Sequence, residues 1–299
     1  MLDAKVESFL AVCKNKSYTK AAEELCITQP AVTQHIKSLE KQYGYRFIEY
    51  SNRALRLTKY GELFYKYAKN VKLSEKVMKN KLKEINKKNK AIKFAATLTI
   101  GEFTIAPILG DLINHFREYD ITMYVDNTQR VLSMLQKGEI SFALVEGLFN
   151  KADYETKLLK NASFILITSK SHPLAVKDSI LLHEIINETI IIREKGSGSR
   201  EVFERSLFDK NYTLENFKNV IEIGNVNVIK EMVKNQIGLS FMYKDAAYKE
   251  IQNRELAEVK ISDFVIEREF NFIYLKNNLV QTEVDMFFSY FKNKSLNYR

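Results

Sequence analysis

Apolar residues in the first ninety positions recur by threes and fours. Leu2, Val6, Phe9, Leu10 and Cys13 share one face of a helix predicted over Leu2–Lys14. Ala21, Ala22 and Leu25 mark a second helix; Val32, Ile36, Leu39 and Tyr43 mark a third. Thr28 is placed to cap the third helix, Pro30 sits in its opening turn, and Gly44 closes it where a left-handed residue is cheap. Two short β-like pieces, Arg46–Glu49 and Leu55–Thr58, then flank the polar turn Ser51-Asn52-Arg53. A long helix is predicted over Lys59–Asn86, with Tyr60, Phe64, Tyr67, Val71, Met78, Leu82 and Ile85 along one stripe. At 1.5 Å per residue it spans about 42 Å, too long to bury that stripe on so small a head, so a partner helix is expected. Asn86-Lys87-Lys88-Asn89-Lys90 reads as a polar hinge.

From Ala91 the pattern changes to alternating strands and helices, the signature of a parallel α/β sheet. IKFAATLTI, ITMYVDN, SFALVEG, FILITSK, IIIRE, VIEIGN, GLSFMY and FNFIYLKN are the predicted strands. Helices are expected over Thr104–Arg117, with Pro107 in the first turn, over Val131–Lys137, and at the end over Thr282–Lys292.

Charge sharpens this division. The chain carries a net +9. Residues 1–90 hold 20 lysines and arginines against 9 acids, an excess of 11, whereas residues 91–299 hold 26 against 28. A basic excess confined to the head favours a polyanion partner there. No apolar run approaches the length of a membrane span, and the N-terminus lacks a secretory pattern, so a cytoplasmic protein with no membrane partner is expected. Cys13 and Cys26 fit buried, reduced thiols, and the four histidines show no metal-ligand spacing.

Candidate chemistry falls in two places. Gln29, Thr33, Gln34 and Lys37 share the polar face of the third helix, and amides, hydroxyls and cations are the groups that read base edges and phosphates. Candidate DNA contacts are therefore Ser17, Thr28, Gln29, Pro30, Thr33, Gln34 and Lys37, with Arg53 and Arg56 of the β-turn-β segment meeting phosphates beside the groove. A helical hairpin whose polar face is merely solvated fits the same spacing. The second place is the carboxyl ends of the strands, where ligands of α/β domains bind. Thr97, Thr99, Asn127, Thr128, Glu146, Ser197, Ser199, Arg200 and Asn225 lie there, and hydroxyls at helix N-termini suit an anion. Thr, Ser, Asn and Gly are also ordinary strand-to-helix capping residues, and the alternative for Arg200 is to brace its own helix through Glu204 one turn on. Gly196-Ser197-Gly198-Ser199-Arg200 is too short for a nucleotide P-loop and lacks the following Lys-Ser/Thr. No nucleophile-base set, metal quartet or CxxC is present, so neither an enzyme nor a cofactor is expected.

The first ninety residues resemble the DNA-binding head and linker helix of LysR-type transcriptional regulators. The resemblance rests on Phe9, Ser17, Ala21-Ala22, Leu25, Gln29-Pro30-Ala31-Val32, Ile36, Leu39-Glu40, Gly44, Arg53, Leu57-Thr58 and Gly61. Thr33 stands where that family usually has serine, and Ile48-Glu49-Tyr50 replaces its usual Phe-x-Arg, which removes one wing cation. The loop REKGSGSR resembles one found in family members that regulate sulfur assimilation and carbon fixation. The resemblance implies an all-α winged helix-turn-helix over 1–58, a dimerisation helix and hinge over 59–90, and an α/β effector domain over 91–299. That domain would be two-lobed and periplasmic-binding-protein-like, with lobe one at 91–161 and 267–299 and lobe two at 162–266. It further implies operator DNA, a small-molecule effector between the lobes, a homodimer or homotetramer, and RNA polymerase as a partner. A small anion or carboxylate is the expected effector class, and the REKGSGSR resemblance puts a sulfur oxyanion or a cysteine precursor first. The alternative is a cytoplasmic solute-binding module whose basic head contacts something other than DNA.

Overall fold

The computed structural model describes residues 3–51, 54–84, 89–276 and 281–297. It divides into two compact units, Met1–Lys87 and Lys88–Arg299.

In the first unit α1 (Ala4–Asn15), α2 (Tyr18–Leu25) and α3 (Gln29–Tyr43) precede β1 (Ile48–Ser51), β2 (Ala54–Leu57) and α4 (Lys59–Glu84). Helix α1 starts later than expected because the Asp3 carboxylate caps it, accepting from the Lys5 N–H at 3.1 Å; Leu2 lies outside the described residues. Gly44 closes α3 at φ 77°. The two strands pair antiparallel from Ile48↔Leu57 to Ser51↔Ala54, each beginning and ending within two residues of its expected place. Glu40 sets that entry, since its Oε1 accepts from Phe47 N at 2.7 Å and Ile48 N at 3.2 Å. Cys26 is exposed rather than buried, because it is the left-handed C-cap of α2 at φ 55°.

The apolar stripe of α4 is divided between two faces. Phe64 and Ala68 are buried in the head, where Phe64 stacks on Phe47 with centroids 4.5 Å apart and meets Phe9 edge-on at 5.1 Å. Tyr60, Tyr67, Val71, Met78 and Leu82 remain exposed. Phe64 therefore belongs to the head's own core and not to the expected seam. Ile85 and hinge residues 86–88 lie outside the described residues.

The second unit adds β3 (Lys90–Thr97), α5 (Leu109–His115), β4 (Tyr119–Asp126), α6 (Thr128–Gln136), β5 (Phe142–Val145), β6 (Tyr154–Ser169) and β7 (Thr189–Ile192). There follow α7 (Gly198–Phe208), β8 (Asn219–Glu222), α8 (Val226–Lys234), β9 (Leu239–Tyr243), α9 (Lys244–Gln252), β10 (Leu256–Val259), β11 (Ile266–Leu275) and α10 (Gln281–Asn297). The strands form one sheet in the order β4-β3-β5-β11-β6-β9-β7-β8, with β10 also pairing with β6. It is mixed rather than parallel. β3 is parallel to β4 and β5, and β7 to β8 and β9, but β6 and β11 run antiparallel to their neighbours. β6 is continuous over sixteen residues and passes from one lobe into the other. Its first half, YETKLLKNA, has no apolar run to announce a strand, because polar side chains alternate along it.

The helix expected at Thr104–Arg117 begins several residues earlier. Ile100–Ile105 is π-helical, Ala106–Ile108 is a 3-10 turn, and α5 follows. Pro107 is tolerated inside this run because the backbone changes pitch around it, which relieves the ring's clash with the preceding turn. The first lobe's core is aromatic: Phe142 stacks on Phe94 at 5.0 Å and on Phe272 at 4.5 Å, and Phe287 and Phe291 of α10 are fully buried against it.

A side chain at Gly61 has no room, since a Cβ there would lie 2.0 Å from the Phe47 carbonyl oxygen. Gly61→Ala should destabilise the head by about 1–3 kcal/mol or more. Calorimetry of the full chain should show the head's unfolding transition lowered and that of the second unit unmoved; an unshifted head transition would contradict the packing.

Candidate functional site

The head presents one polar face. The Ser17 hydroxyl accepts from Lys20 N at 3.3 Å and that of Thr28 accepts from Ala31 N at 3.3 Å, so both start helices. Pro30 occupies the first turn of α3. Thr33 Oγ1 donates to the Gln29 carbonyl at 3.1 Å and accepts from Gln29 Nε2 at 3.2 Å, which holds the two side chains together. Gln29, Gln34 and Lys37 are exposed while Val32, Ile36 and Leu39 are buried, so α3 turns its polar residues outward as a block. Arg56 is exposed on β2; Arg53 lies outside the described residues. Ser8 and His35 join beneath this face through a 2.7 Å contact.

The second unit gathers another set. Thr97 ends β3, Thr99 lies in the helical turn that follows, and Glu146 follows β5, the strand parallel to β3. The Thr99 side chain hydrogen-bonds to Glu146. Thr128 opens α6, and its Oγ1 lies 3.4 Å from the Glu146 carbonyl oxygen. From the other lobe comes the loop that starts α7. A Cβ at Gly198 would stand 2.5 Å from Thr128 Oγ1, and one at Gly147 would stand 2.7 Å from the Gly198 Cα. Only glycine at both positions lets the two backbones meet. Ser197 and Ser199 flank this contact, both buried, with hydroxyls 2.9 Å apart. The helical turn after Thr99 also docks on the second lobe. Phe103 packs against that lobe's core, Thr104 Oγ1 donates to Asp245 Oδ2 at 3.1 Å, and Lys160 pairs with the same carboxylate.

Six of the nine expected residues therefore form one buried group: Thr97, Thr99, Thr128, Glu146, Ser197 and Ser199, each no more than 6% exposed. Three do other work. Asn127 caps α6 through Arg130 N at 2.9 Å, and Asn225 caps α8 through Val228 N at 3.1 Å. Arg200 bonds Glu204 at 2.7 Å, the Arg193 carbonyl at 3.1 Å and Glu222, so its charge is neutralised on the second lobe.

Three further residues join the group without having been expected. Tyr243 is buried at the carboxyl end of β9, the position that marked the others; its hydroxyl meets the Gly147 N–H and feels the charges of Glu146 and Arg268. Burial drives its phenol well above the usual range. Arg193, 6% exposed, adds a positive field at Glu146 but holds its own neighbour Glu194 through Nε at 2.8 Å and Nη2 at 2.9 Å. Arg268 comes from the antiparallel β11, where no strand-end rule points. It lines a groove of about 450 Å³ beside Gly147, together with Phe149, Lys151, Asn161 and Asn271.

Burial pushes the Glu146 carboxyl up to about 7, against the opposing influence of the backbone, Thr99 and Arg193. Several buried side-chain polar atoms among the described residues have no hydrogen-bond partner, and in this group they are Thr97 Oγ1, Glu146 Oε2 and Arg268 Nε. Buried polar atoms normally find partners, so three orphans in one group mark a place built to receive polar atoms from outside the chain. No cluster of three or more metal-ligating side chains occurs among the described residues, and no described helix is long and apolar enough to cross a membrane.

Comparison with known proteins places both parts of the chain in one family. Residues 4–62 match the bacterial regulatory helix-turn-helix protein, lysR family, and residues 86–295 match the LysR substrate binding domain. The HTH-type transcriptional regulator CysL of Bacillus subtilis is 29% identical over 270 residues, covering 90% of this chain and 89% of its own. The RuBisCO operon transcriptional regulator of Allochromatium vinosum is 26% identical over 269 residues, covering 89% of this chain and 87% of its own. The regulatory domain of Synechocystis CcmR, solved in complex with 2-PG, superposes with a TM-score of 0.63 at 22% identity, over 70% of this chain and 99% of that one. A DNA-reading head on a two-lobed α/β sensor, matched by family along nearly its whole length, makes this chain a member of the LysR family of transcriptional regulators.

Proposed function

We propose that residues 1–58 read an operator, that 59–90 join two subunits, and that 91–299 sense a small anion or carboxylate in the cleft between the lobes. The observation that carries the effector reading is the buried group at the Gly147–Gly198 contact. Hydroxyls of Thr97, Thr99, Thr128, Ser197 and Ser199 surround the starts of α6 and α7, whose N–H groups attract negative charge. Asn127, Asn225 and Arg200 support the walls of this cleft. The CcmR regulatory domain's 2-PG makes a phosphorylated or carboxylated metabolite a natural first probe, and the sulfur oxyanion suggested by REKGSGSR a second.

Effector control requires different affinities of the ligand for two arrangements of the protein. Binding at a contact made by both lobes meets that requirement, because an opened contact would lose half of the ligand's partners. The exposed apolar residues of α4 provide the subunit seam, in a dimer or a tetramer. A soluble DNA-binding regulator of this kind works in the cytoplasm and acts on transcription through RNA polymerase.

Three measurements test this reading. Gln34→Ala should reduce discrimination between operator and random DNA by about 1–3 kcal/mol; equal loss on both DNAs would restrict Gln34 to positioning. Val71→Glu with Met78→Glu places charges in a desolvated seam and should lower the sedimentation coefficient while the head stays folded. An unchanged coefficient would remove α4 from the interface. Calorimetric titration of the full chain with sulfate, thiosulfate, 2-phosphoglycolate and simple carboxylates should find an anion whose affinity falls about tenfold in Thr97→Val, the loss of one hydrogen bond to a charged group. Equal affinity in the variant would misplace the site.

A further inference from the structure

Glu146 is out of place in a cleft for a plain anion. Its carboxyl is 3% exposed, and its Oε2 has no hydrogen-bond partner. Thr99 hydrogen-bonds to the carboxyl from the first lobe's helical turn, and the charge of Glu146 is felt at the Tyr243 phenol on β9. Arg193 reaches it only through its field, with two of its nitrogens already committed to Glu194. Arg268, whose Nε is buried without a partner, acts on the Tyr243 phenol through its charge. No cation within the chain hydrogen-bonds to Glu146 among the described residues, while hydroxyls and helix starts suited to a negative group lie a few residues away on the same strand ends.

We propose that the effector is a zwitterion of amino-acid type, its carboxylate held by the hydroxyls of Thr97, Thr99, Ser197 and Ser199 and its ammonium by Glu146. This rests on the cleft being the effector site. A ligand ammonium supplies the counter-charge that a buried carboxylate needs and a partner for Oε2, whereas a purely anionic ligand would meet repulsion or require Glu146 to hold a proton.

The two cases have opposite pH dependences. An ammonium ligand binds the ionised carboxylate, so its affinity rises as pH increases through about 7 and binding releases a proton. A plain anion prefers the protonated carboxyl, so its affinity falls over the same interval.

The test pairs amino acids with the 2-hydroxy acids that differ only in bearing hydroxyl for ammonium: L-serine with glycerate, and L-aspartate with malate. Each is titrated calorimetrically into the full chain at about pH 6 and about pH 8, with sulfate as the simple anion. At least one amino acid should bind about tenfold or more tightly than its hydroxy counterpart, more so at the higher pH, and Glu146→Gln should abolish that preference. Hydroxy acids or sulfate binding as well as the amino acids, and more weakly at higher pH, would overturn the zwitterion and leave the anion cleft standing. Failure of every probe would overturn both. The matched pairs are read on the parent protein, so the result does not depend on Glu146→Gln folding.

Discussion

The sensor depends on one antiparallel ladder. β6 and β11 pair from Ile266↔Phe164 to Leu275↔Tyr154 and carry the backbone from lobe to lobe twice in opposite directions. On one side β11 receives β5, and with it the first lobe's parallel strands; on the other β6 receives β9 and the second lobe's. The walls of the cleft are thus tied to the same hydrogen-bonded pair. The register shifts once, between Phe270 and Asn271, and a bulge at such a place increases local twist. That irregularity lies beside the groove of Arg268 and Asn271 and one strand from Gly147. Close approach of Gly147 to Gly198 follows from this shared scaffold together with the absence of a Cβ on either residue.

Electrostatics in the cleft are governed by how few free charges reach it. The second lobe holds two arginines near α7, yet Arg200 is neutralised by Glu204 and Glu222 and Arg193 by Glu194. What remains in the buried group is a set of hydroxyls, helix starts with their partial positive charge, one buried carboxyl at Glu146, and the Arg268 guanidinium, whose Nε has no partner. A ligand in the proposed site would be held by directed hydrogen bonds with little net charge. Selectivity then lies in the pattern of donors and acceptors, because each buried polar atom left unmatched by the wrong ligand costs about 1–3 kcal/mol.

The head solves a different problem with a single helix. α4 buries Phe64 and Ala68 against its own domain, where Phe9, Phe47 and Phe64 form an aromatic triangle. The same helix carries Tyr60, Tyr67, Val71, Met78 and Leu82 uncovered. Packing of the first face holds α3 in place through Ile36 and Leu39 and leaves its polar side toward solvent. Glu40 links this core to the strands by accepting two backbone N–H groups, which explains a carboxylate in the middle of an otherwise apolar seam.

Local sequence determined much of this protein. The caps at Ser17 and Thr28, the left-handed Gly44, the periodicity of α1 to α4 and most strand cores follow from short-range sterics and hydrogen bonding, which act within a few residues. The strand-end rule likewise marked Thr97, Thr99, Thr128, Glu146, Ser197 and Ser199 before their proximity was known. Tertiary structure alone decided the rest. Phe64 and Val71 look equivalent along the helix, and only the position of Phe47 and Phe9 sends one to the core and leaves the other out. The first half of β6 has no apolar run and is held by cross-strand pairing with β11. Arg200, Asn127 and Asn225 carry the right chemistry for a ligand, but each finds a nearer partner within its own lobe. Tyr243 comes under the charge of Glu146 across more than ninety residues of chain, a distance at which only folding brings groups together. The raised carboxyl of Glu146 belongs to the same class, since desolvation is a property of the walls around a residue and not of its neighbours in sequence.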